Sequence, residues 1–417
     1  MVRLILKVKY ILQYGGIQMF DFSKFYSEEE VVTLLQKMIA IPSHKDVENR
    51  EAAMGEFVYD YCTKLGFECE KVYVQGKRFN VNVWLRGEGD GPTLLLNGHM
   101  DTVPPYDMII EPYSGEIRDG YIWGRGGNDM KGALASMITA MNAIKKSGIK
   151  LQGDLLFTAV VGEEEESDGT EAFVLNGGQA DGAIVGEPSG YEVSIGHRGL
   201  EWIQMDVEGI TMHGGQAHLG VNAIQMGARL IERIQSDLVP KINSRQNEYM
   251  GPAIMNYGKI FGGDQVSTVA GHCTIQFDRR YVPGETVETV MTEYQEIIDQ
   301  LHEEDPKFKA TLSLMPNGQM NKLVHAPLIP EPDSKIVQTV YSVLGEFLGT
   351  DDISICRTRG WTDAGVLSTF GKIPTVVFGP GALPNSHTKD EHIAIEQIYN
   401  FTSIYANIAA QFCGVVE

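Results

Sequence analysis

The apolar positions along the chain follow two alternating patterns, one typical of helices and the other of buried strands. Ser27 followed by Glu30 matches a helix capping box, and helical periodicity continues until Pro42. Further on, a helical run at about 130–146 lies between short strand-like runs at 80–85, 93–96, 153–161 and 182–185. This alternation predicts an α/β fold with a mixed, largely parallel sheet covered by helices.

The pattern changes after about residue 193 and returns beyond Leu314. Between these points, strand-like segments with alternating exposure are interrupted by amphipathic helices, which predicts a compact α+β unit. The segments that carry this prediction are strands at 194–210 and 274–281 and helices at 223–234 and 285–301. A helix at 334–348 and a strand at 375–378 then restore the α/β pattern.

The length of 417 residues also favours two domains, because such a chain is too long for one ordinary compact core. We predict a larger α/β domain formed by residues 19–193 and 313–417, with a smaller α+β domain inserted at 194–312. Residues 1–18 are basic and partly apolar, and no small-residue cleavage site follows them. We therefore expect an N-terminal extension rather than a signal peptide.

Composition indicates which partners the protein does not bind and in which compartment it works. The net charge of −21, without a cluster of Lys and Arg, argues against nucleic-acid binding. No apolar run approaches the roughly 20 residues that a membrane span needs. The five cysteines are scattered and form no C-x-x-C pair, which predicts a cytoplasmic protein with neither a disulfide framework nor a thiolate zinc site.

Potential metal ligands follow the ends of several apolar runs. In open α/β sheets, ligands bind outside the carboxyl ends of the strands, so side chains spread along the chain can converge there. Two histidines with several carboxylates form a ligand set that suits Zn²⁺, Mn²⁺ or Co²⁺ in a hydrolytic site. The candidates are His99 and Asp101 in LLLNGHMDTVPP, Asp129 in WGRGGNDMKG, the glutamates of VGEEEESDGT, Glu187 in GAIVGEPSG, and His387 in SHTKDEH.

Each candidate also has a simpler structural interpretation. A single histidine after a strand is more often a hydrogen-bonded loop residue than a ligand, and Asp129 could cap the helix that follows it. Glu187 before Pro188 could be an ordinary turn residue, and residues 163–166 could be a solvated charge run. The joint pattern of all these groups at strand ends favours the metal site over any of these interpretations.

The ordered motifs resemble those of the M20 family of co-catalytic zinc amidohydrolases and peptidases. They are GHMDTVP, GRGGNDMKG, GEEEESDGT, DGAIVGEP, HGGQAHLGVNAI, DRRYVPGET, GWTDAGVL and PTVVFGPG, followed by SHTKDEH. The sequence is most similar to the acetylornithine deacetylase and succinyl-diaminopimelate desuccinylase branch. The resemblance extends over roughly residues 22–415 and implies a metal-binding catalytic domain with an inserted lid and dimerisation domain.

The resemblance implies a role for each candidate ligand. His99 would bind one of two ions, and Asp101 would orient its imidazole. Asp129 would bridge both ions, Glu187 would complete the first ligand set, and His387 would complete the second. The ions would most often be Zn²⁺ in such a family, although the ligand set also accepts Co²⁺ and Mn²⁺.

Three adjacent Glu-Glu pairs in VGEEEESDGT compete for the roles of general base and metal ligand. The resemblance implies a spacing of about four residues between the pair and the glycine of a following Gly-Thr, here Gly169-Thr170, which favours Glu163 as base and Glu164 as ligand, with the next two glutamates solvated. The family often has Asp before this pair, whereas this chain has Gly162. A shift by one residue would give the same roles to Glu164 and Glu165.

The inserted domain carries further candidates by the same resemblance. His213 corresponds to a histidine that reaches the active site of a partner subunit and stabilises the oxyanion, which implies a homodimer. Arg280 resembles an arginine that grips a substrate carboxylate, although a structural pair with Asp278 is the alternative. Thr362 is a candidate substrate contact or a loop-shaping residue. Ser267 is a further candidate substrate contact and stands where relatives commonly carry Asn, which weakens any transfer of substrate specificity.

The sequence therefore predicts a two-metal hydrolase that removes the acyl group of an N-acyl amino acid or related small carboxylate. A dipeptidase or carboxypeptidase of the same family is the alternative within this chemistry. A binding protein that kept the fold and lost catalysis is a further alternative, and the complete set of ligands argues against it.

Overall fold

The computed structural model describes residues 19–356 and 360–416, so the predicted extension at 1–18 lies outside the described residues. The strands are β1 (Glu68–Gln75), β2 (Arg78–Leu85), β3 (Leu94–His99), β4 (Glu116–Arg118), β5 (Tyr121–Trp123), β6 (Leu155–Val160), β7 (Gly182–Pro188), β8 (Gly199–Glu208), β9 (Gln246–Asn247), β10 (Gly251–Pro252), β11 (Ile254–Gly262), β12 (His272–Tyr281), β13 (Lys309–Leu314), β14 (Thr375–Gly379) and β15 (His392–Ala394).

The α-helices are α1 (Glu28–Ile39), α2 (Ala52–Lys64), α3 (Gly132–Ser147), α4 (Asp168–Leu175), α5 (Ala223–Arg233), α6 (Val239–Ser244), α7 (Val287–Glu304), α8 (Lys335–Leu348), α9 (Ala364–Thr369) and α10 (Ile395–Cys413). The chain divides into two compact units. Of the described residues, the first unit comprises 19–195, 330–356 and 370–416, and the second comprises 196–329 and 360–369.

The first unit is built on a six-stranded sheet with the order β1-β2-β6-β3-β7-β14. The strands β6, β3, β7 and β14 are parallel, whereas β1 and β2 are antiparallel to their neighbours. Every residue of the four parallel strands is buried, as expected for a sheet covered on both faces. The predicted α/β class with a mixed, largely parallel sheet is confirmed.

Helices α1, α3, α8 and α10 pack around this sheet and bury their apolar sides. The side chain of Ser27 accepts a hydrogen bond from the backbone N–H of Glu30, which begins α1 where the capping pattern predicts. A small sheet in the same unit has the order β15-β5-β4, and its pairing of His392 with Trp123 holds the segment after His387 in place.

The second unit contains a four-stranded antiparallel sheet with the order β11-β12-β8-β13. Alternate residues of β8 are buried, because one face of the sheet packs against α5 and α7. Strand β13 pairs with β8, so the predicted boundary between residues 312 and 313 falls inside a strand of this sheet. The predicted limits of the two domains and their roles stay predictions.

Candidate active site

The carboxyl ends of the parallel strands lie along one edge of the sheet in the first unit. His99 is the last residue of β3, and Glu187 lies near the end of β7. The glutamate run follows β6, and His387 follows β14. This edge is where open α/β sheets bind their ligands, and it brings the predicted ligands together.

Two overlapping groups of side chains converge at this edge. One contains His99, Glu163 and Glu187, and the other contains His99, Asp129 and Glu164. Within each group, one potential ligand atom of every residue lies within 4.8 Å of those of the others. These nitrogen and carboxylate oxygen donors fit a divalent metal ion.

The two carboxylate oxygens of Asp129 face different histidines. Its Oδ1 lies 3.3 Å from Nε2 of His99, and its Oδ2 lies 3.6 Å from Nε2 of His387. His99 Nε2 is also 3.5 Å from Oε1 of Glu187, whereas His387 Nε2 is 3.0 Å from Oε1 of Glu164. Asp129 therefore has the position that a carboxylate shared between two ligand sets requires.

The charges at this edge shift the pKa of both histidines. Burial disfavours the protonated form of His99, but its hydrogen bond with Asp129 and the charge of Glu187 outweigh burial and raise its pKa well above the usual value. Burial also opposes protonation of His387, but Glu164 raises its pKa to about 9. Cationic imidazoles thus balance the carboxylates, and a metal ion would displace these protons.

The pKa values of Asp129 and Glu164, the two carboxylates that face His387, are shifted in opposite directions. Burial would raise the pKa of Asp129, but its hydrogen bond with His99 and the nearby imidazoles lower it to about 2. Burial raises the pKa of Glu164 despite its contact with His387. Of these two carboxylates, Asp129 therefore stays ionised to lower pH, which suits a shared ligand.

Asp101 connects His99 with the glutamate run. Its carboxylate oxygens accept hydrogen bonds from the backbone N–H groups of Glu163 at 3.2 Å and Glu164 at 2.9 Å. The Nδ1 atom of His99 lies 2.9 Å from the backbone oxygen of Asp101 and 3.6 Å from its carboxylate. Asp101 therefore positions the glutamates with its side chain and contacts the imidazole mainly through its backbone.

The glutamate run forms a tight turn around Gly162. The carbonyl oxygen of Gly162 accepts N–H groups from Glu165 and Glu166 at 3.3 and 3.0 Å, and Gly162 itself has a φ of +79°. A Cβ atom at this position would lie 1.9 Å from Oδ1 of Asp168, so the turn requires glycine.

The last two glutamates of the run do not belong to the candidate metal groups. Glu165 pairs with Lys45 at 3.1 Å, and Glu166 pairs with Arg50 at 3.5 Å. All four side chains are partly exposed, with 28 to 40% of each accessible. The expected solvated neighbours are therefore partners in ion pairs with the segment between α1 and α2.

Within the second unit, His213 and Ser267 lie on adjacent exposed segments. His213 Nδ1 accepts a hydrogen bond from the backbone N–H of Gly215 at 3.2 Å. The backbone N–H of Gly214 donates to the carbonyl oxygen of Ser267 at 2.7 Å. Both residues are accessible, as a contact with substrate or with another subunit would need.

Arg280 and Thr362 also lie in the second unit. Arg280 forms a two-bond pair with Asp278, with Nε donating at 2.8 Å and Nη2 at 3.0 Å, as the structural alternative predicts. The hydroxyl of Thr362 is buried, lies 3.1 Å from Nε2 of His197 and accepts the backbone N–H of Ala364. Thr362 therefore shapes the start of α9.

Two residues beside the ligands were not singled out from the sequence. Asn128 and Glu391 lie inside motifs that are visible in the sequence, and both are fully buried. Asn128 precedes Asp129 in the chain, and Glu391 accepts the backbone N–H of Asp129. Their importance depends on contacts between segments more than 250 residues apart, which no local pattern reveals.

Among the residues that the structure describes, no helix is long and apolar enough to cross a membrane. The profile of Peptidase family M20/M25/M40 matches residues 95–411. An N-formyl-4-amino-5-aminomethyl-2-methylpyrimidine deformylase from Halalkalibacterium halodurans is 27% identical, over 93% of this chain and 95% of its own. An acetylornithine deacetylase from Pasteurella multocida is 28% identical, over 90% of this chain and 94% of its own.

Solved structures share the fold. An aminopeptidase from Bacillus cereus superposes with a TM-score of 0.76 at 23% identity, covering 94% of this chain and 100% of its own. A dinuclear metal-binding peptidase of family M20 from Bacillus subtilis gives a TM-score of 0.69 at 14% identity, covering 93% and 99%. The family profile spans well over half of the chain, which therefore belongs to peptidase family M20/M25/M40 and is, as predicted, a metal-dependent hydrolase of the amidohydrolase and peptidase type.

Proposed function

We propose that this protein is a two-metal hydrolase that removes the acyl group from the nitrogen of an N-acyl amino acid or a similar small carboxylate. The observation that carries this proposal is the position of Asp129, whose two oxygens face His99 and His387 respectively. Relatives named as a deformylase and a deacetylase remove acyl groups from nitrogen, which supports acyl removal over peptide cleavage.

Two ligand sets share Asp129 in this proposal. His99 and Glu187 complete the first set, and His387 and Glu164 complete the second. Zn²⁺ is the ion that best suits these nitrogen and oxygen donors, and Co²⁺ and Mn²⁺ are also accepted. Ions held there supply Lewis acidity, which polarises an amide carbonyl and acidifies water.

Glu163 is the proposed general base. Its carboxylate lies in the group with His99 and Glu187, next to the ligands of the first set. From this position it accepts the proton of the attacking water and returns it to the leaving amine nitrogen. Asp101 holds the backbone of Glu163 and keeps this carboxylate oriented.

The second unit supplies the proposed contacts with substrate and subunit. Arg280 binds the carboxylate of the substrate, and Ser267 and Thr362 shape the pocket for the rest of the molecule. His213 of one protomer stabilises the oxyanion in the site of its partner, so the active form is a homodimer formed through the second unit. We also propose that the enzyme works in the cytoplasm.

A substrate panel tests the proposal directly. Protein reconstituted with Zn²⁺, Co²⁺ or Mn²⁺ is assayed against N-acetyl, N-succinyl and N-formyl amino acids and against dipeptides. We expect the N-acyl amino acids to be hydrolysed, a chelator to abolish turnover, and added metal to restore it. The Glu163→Gln variant is the matched control, because it keeps the ligands and removes the base.

Three results would contradict this function. Turnover that requires a free α-amino group would identify a dipeptidase, and cleavage restricted to a C-terminal residue would identify a carboxypeptidase. If the protein binds two ions and hydrolyses no member of the panel, hydrolysis of N-acyl groups is not its function.

A further inference from the structure

The side-chain amide of Asn128 connects the segment that carries Asp129 with the loop that precedes His387. Nδ2 of Asn128 donates to the carbonyl oxygen of Ala382 at 3.1 Å and to the hydroxyl of Ser386 at 3.0 Å. Its Oδ1 accepts the backbone N–H of Ala382 at 2.9 Å. Both amide hydrogens and the amide oxygen are therefore used to hold this loop.

Glu391 makes a second connection after His387. One of its carboxylate oxygens accepts the backbone N–H groups of both Asn128 and Asp129, at 3.0 and 3.1 Å. The other oxygen accepts a hydrogen bond from the guanidinium of Arg125. Glu391 is fully buried, so these bonds are protected from competition by water.

Together, Asn128 and Glu391 fasten the loop of His387 on both of its sides to the short segment that carries Asp129. The need for such support is visible at His387, whose backbone has a left-handed φ of +62°. This conformation is uncommon for residues other than glycine and is usually held by the surrounding structure. Its imidazole is also 48% exposed, so packing alone does not fix its direction.

The first ligand set is positioned differently. His99 belongs to β3 and Glu187 to β7, and the two strands pair directly in the centre of the sheet. The backbone hydrogen bonds of the sheet therefore place these two ligands without any contribution from the loop of His387. A change at Asn128 or Glu391 consequently acts on the second ligand set and leaves most of the first intact.

We infer that Asn128 and Glu391 are positioning residues that set the separation of Asp129 and His387 and thereby tune affinity at the second metal site. This inference rests on the proposed two-metal function. Residues that hydrogen-bond to metal ligands, or hold them from behind, typically change metal affinity by about 10- to 100-fold when they are replaced. A purely structural role would instead lower the stability of the whole unit and affect both sites alike.

Isothermal titration calorimetry of metal-free protein with Zn²⁺ tests the inference. We expect two equivalents to bind the wild type, and Asn128→Ala to weaken one of them by about 10- to 100-fold while leaving the other unchanged. The visible absorption of bound Co²⁺ provides a second measurement, because it reports the geometry at each site independently of turnover. We expect the variant to change the spectrum of only one of the two ions.

Asn385→Ala is the matched control. Asn385 is the same residue type on the same loop, but its side chain contacts His392 at 3.4 Å and not the segment of Asp129. We expect this variant to bind both equivalents like the wild type. Glu391→Gln retains an oxygen that can accept the two backbone N–H groups, so we expect it to weaken the second site less than Glu391→Ala does.

Three outcomes separate the possibilities. Selective loss at one site in Asn128→Ala, with Asn385→Ala unaffected, supports the positioning role. If the wild type binds two ions and Asn128→Ala weakens both of them equally, or weakens neither, the positioning role is overturned. The two-metal function is then unaffected. A wild type that binds fewer than two ions would overturn the two-metal function itself.

Discussion

The Nε2 atom of His387 lies 3.0 Å from Oε1 of Glu164, although 223 residues separate the two in the sequence. The loops that carry them follow β14 and β6, which are separated in the sheet by β7 and β3. This contact distinguishes Glu164 from the other members of the glutamate run. It supports the assignment of the ligand role to Glu164 and of the general-base role to Glu163.

Single substitutions in the glutamate run test this assignment. We expect Glu163→Gln to lower kcat by about 10²- to 10⁴-fold with both metal ions retained, because general-base catalysis contributes that much. We expect Glu164→Gln to weaken the binding of one ion. Metal content by elemental analysis and kcat by a substrate assay would measure both effects.

Glu165→Gln is the matched control for this series. Its carboxylate pairs with Lys45 on a partly exposed surface, and such pairs contribute at most about 1 kcal/mol to stability. Metal content and kcat should therefore remain close to those of the wild type. Loss of a metal ion in Glu165→Gln would instead assign the role of general base to Glu164 and that of metal ligand to Glu165.

Mixed dimers test whether His213 acts in the site of the partner subunit. His213→Ala and Glu163→Ala should each be inactive alone. If His213 acts across the interface, an exchanged dimer of the two variants contains one site with both functional groups. We expect an equal mixture to recover about a quarter of wild-type activity, because about half of the dimers are mixed and each has one intact site.

The oligomeric state is the control for the mixing experiment. Size-exclusion chromatography with light scattering should give a dimer for the wild type and for both variants. A mixture that exchanges subunits and stays inactive would place His213 in the site of its own chain. A monomeric wild type would contradict the proposed homodimer.

Arg280 is expected to recognise the carboxylate of the substrate. A hydrogen-bonded charge of this kind is worth about 1.5 to 3 kcal/mol, so Arg280→Ala should lower kcat/KM by about 10- to 100-fold for carboxylate substrates. The corresponding carboxamide substrates should be affected much less. Comparing kcat/KM for each acid and its amide measures the difference.

Asp278→Asn is the control for the role of Arg280, because it removes the negative charge that pairs with Arg280 and leaves the guanidinium in place. We expect this variant to retain the preference for carboxylates. An Arg280→Ala variant that loses activity equally on acid and amide would show that the pair with Asp278 serves the structure of β12 alone.

The buried carboxyl of Glu201 predicts a pH dependence of stability. Burial raises its pKa to about 7, and the residue is fully buried in β8. The folded state therefore binds a proton that the unfolded state releases between its ordinary pKa and pH 7, so stability falls as pH rises through this range. Replacement by Gln removes the penalty of the buried charge.

We expect Glu201→Gln to behave like the wild type near pH 4 and to be more stable at pH 8, by up to about 3 kcal/mol. Urea unfolding at both pH values measures this difference. The control is Glu208→Gln, which is on the same strand but exposed and should keep the wild-type profile. Equal stability of Glu201→Gln and the wild type at pH 8 would contradict the prediction that a charged Glu201 destabilises the folded state.

Local signals in the sequence predicted the buried strands of the first unit and the beginning of α1. Apolar runs identify β3, β6, β7 and β14 because these strands are buried on both faces, and polar residues directly after them are visible as candidate ligands. The Ser27 cap is equally local. His99, Asp129, Glu187 and the glutamate run could therefore be proposed from the order of residues, whereas the choice of Glu163 and Glu164 within the run came from the family resemblance.

Edge strands and long-range contacts could not be predicted in this way. Strand β1 has alternating exposed residues and many charges, as edge strands often do, so its pattern does not stand out from a loop. Strand β13 is similar, and the predicted end of the inserted domain fell within it. The bonds of Asn128 with Ala382, or of Lys45 with Glu165, depend on the packed fold and leave no periodic signal.

The turn at Gly162 has a consequence for how this sequence could have diverged from relatives that carry Asp before the glutamate pair. A side chain at Gly162 would collide with Asp168, which is itself held by Arg78 at 2.6 Å. A single exchange of Gly162 for Asp would therefore disrupt the turn. Asp at this position therefore needs a compensating change at Asp168, so we expect the residue before the glutamates and the partner of Arg78 to vary together among relatives.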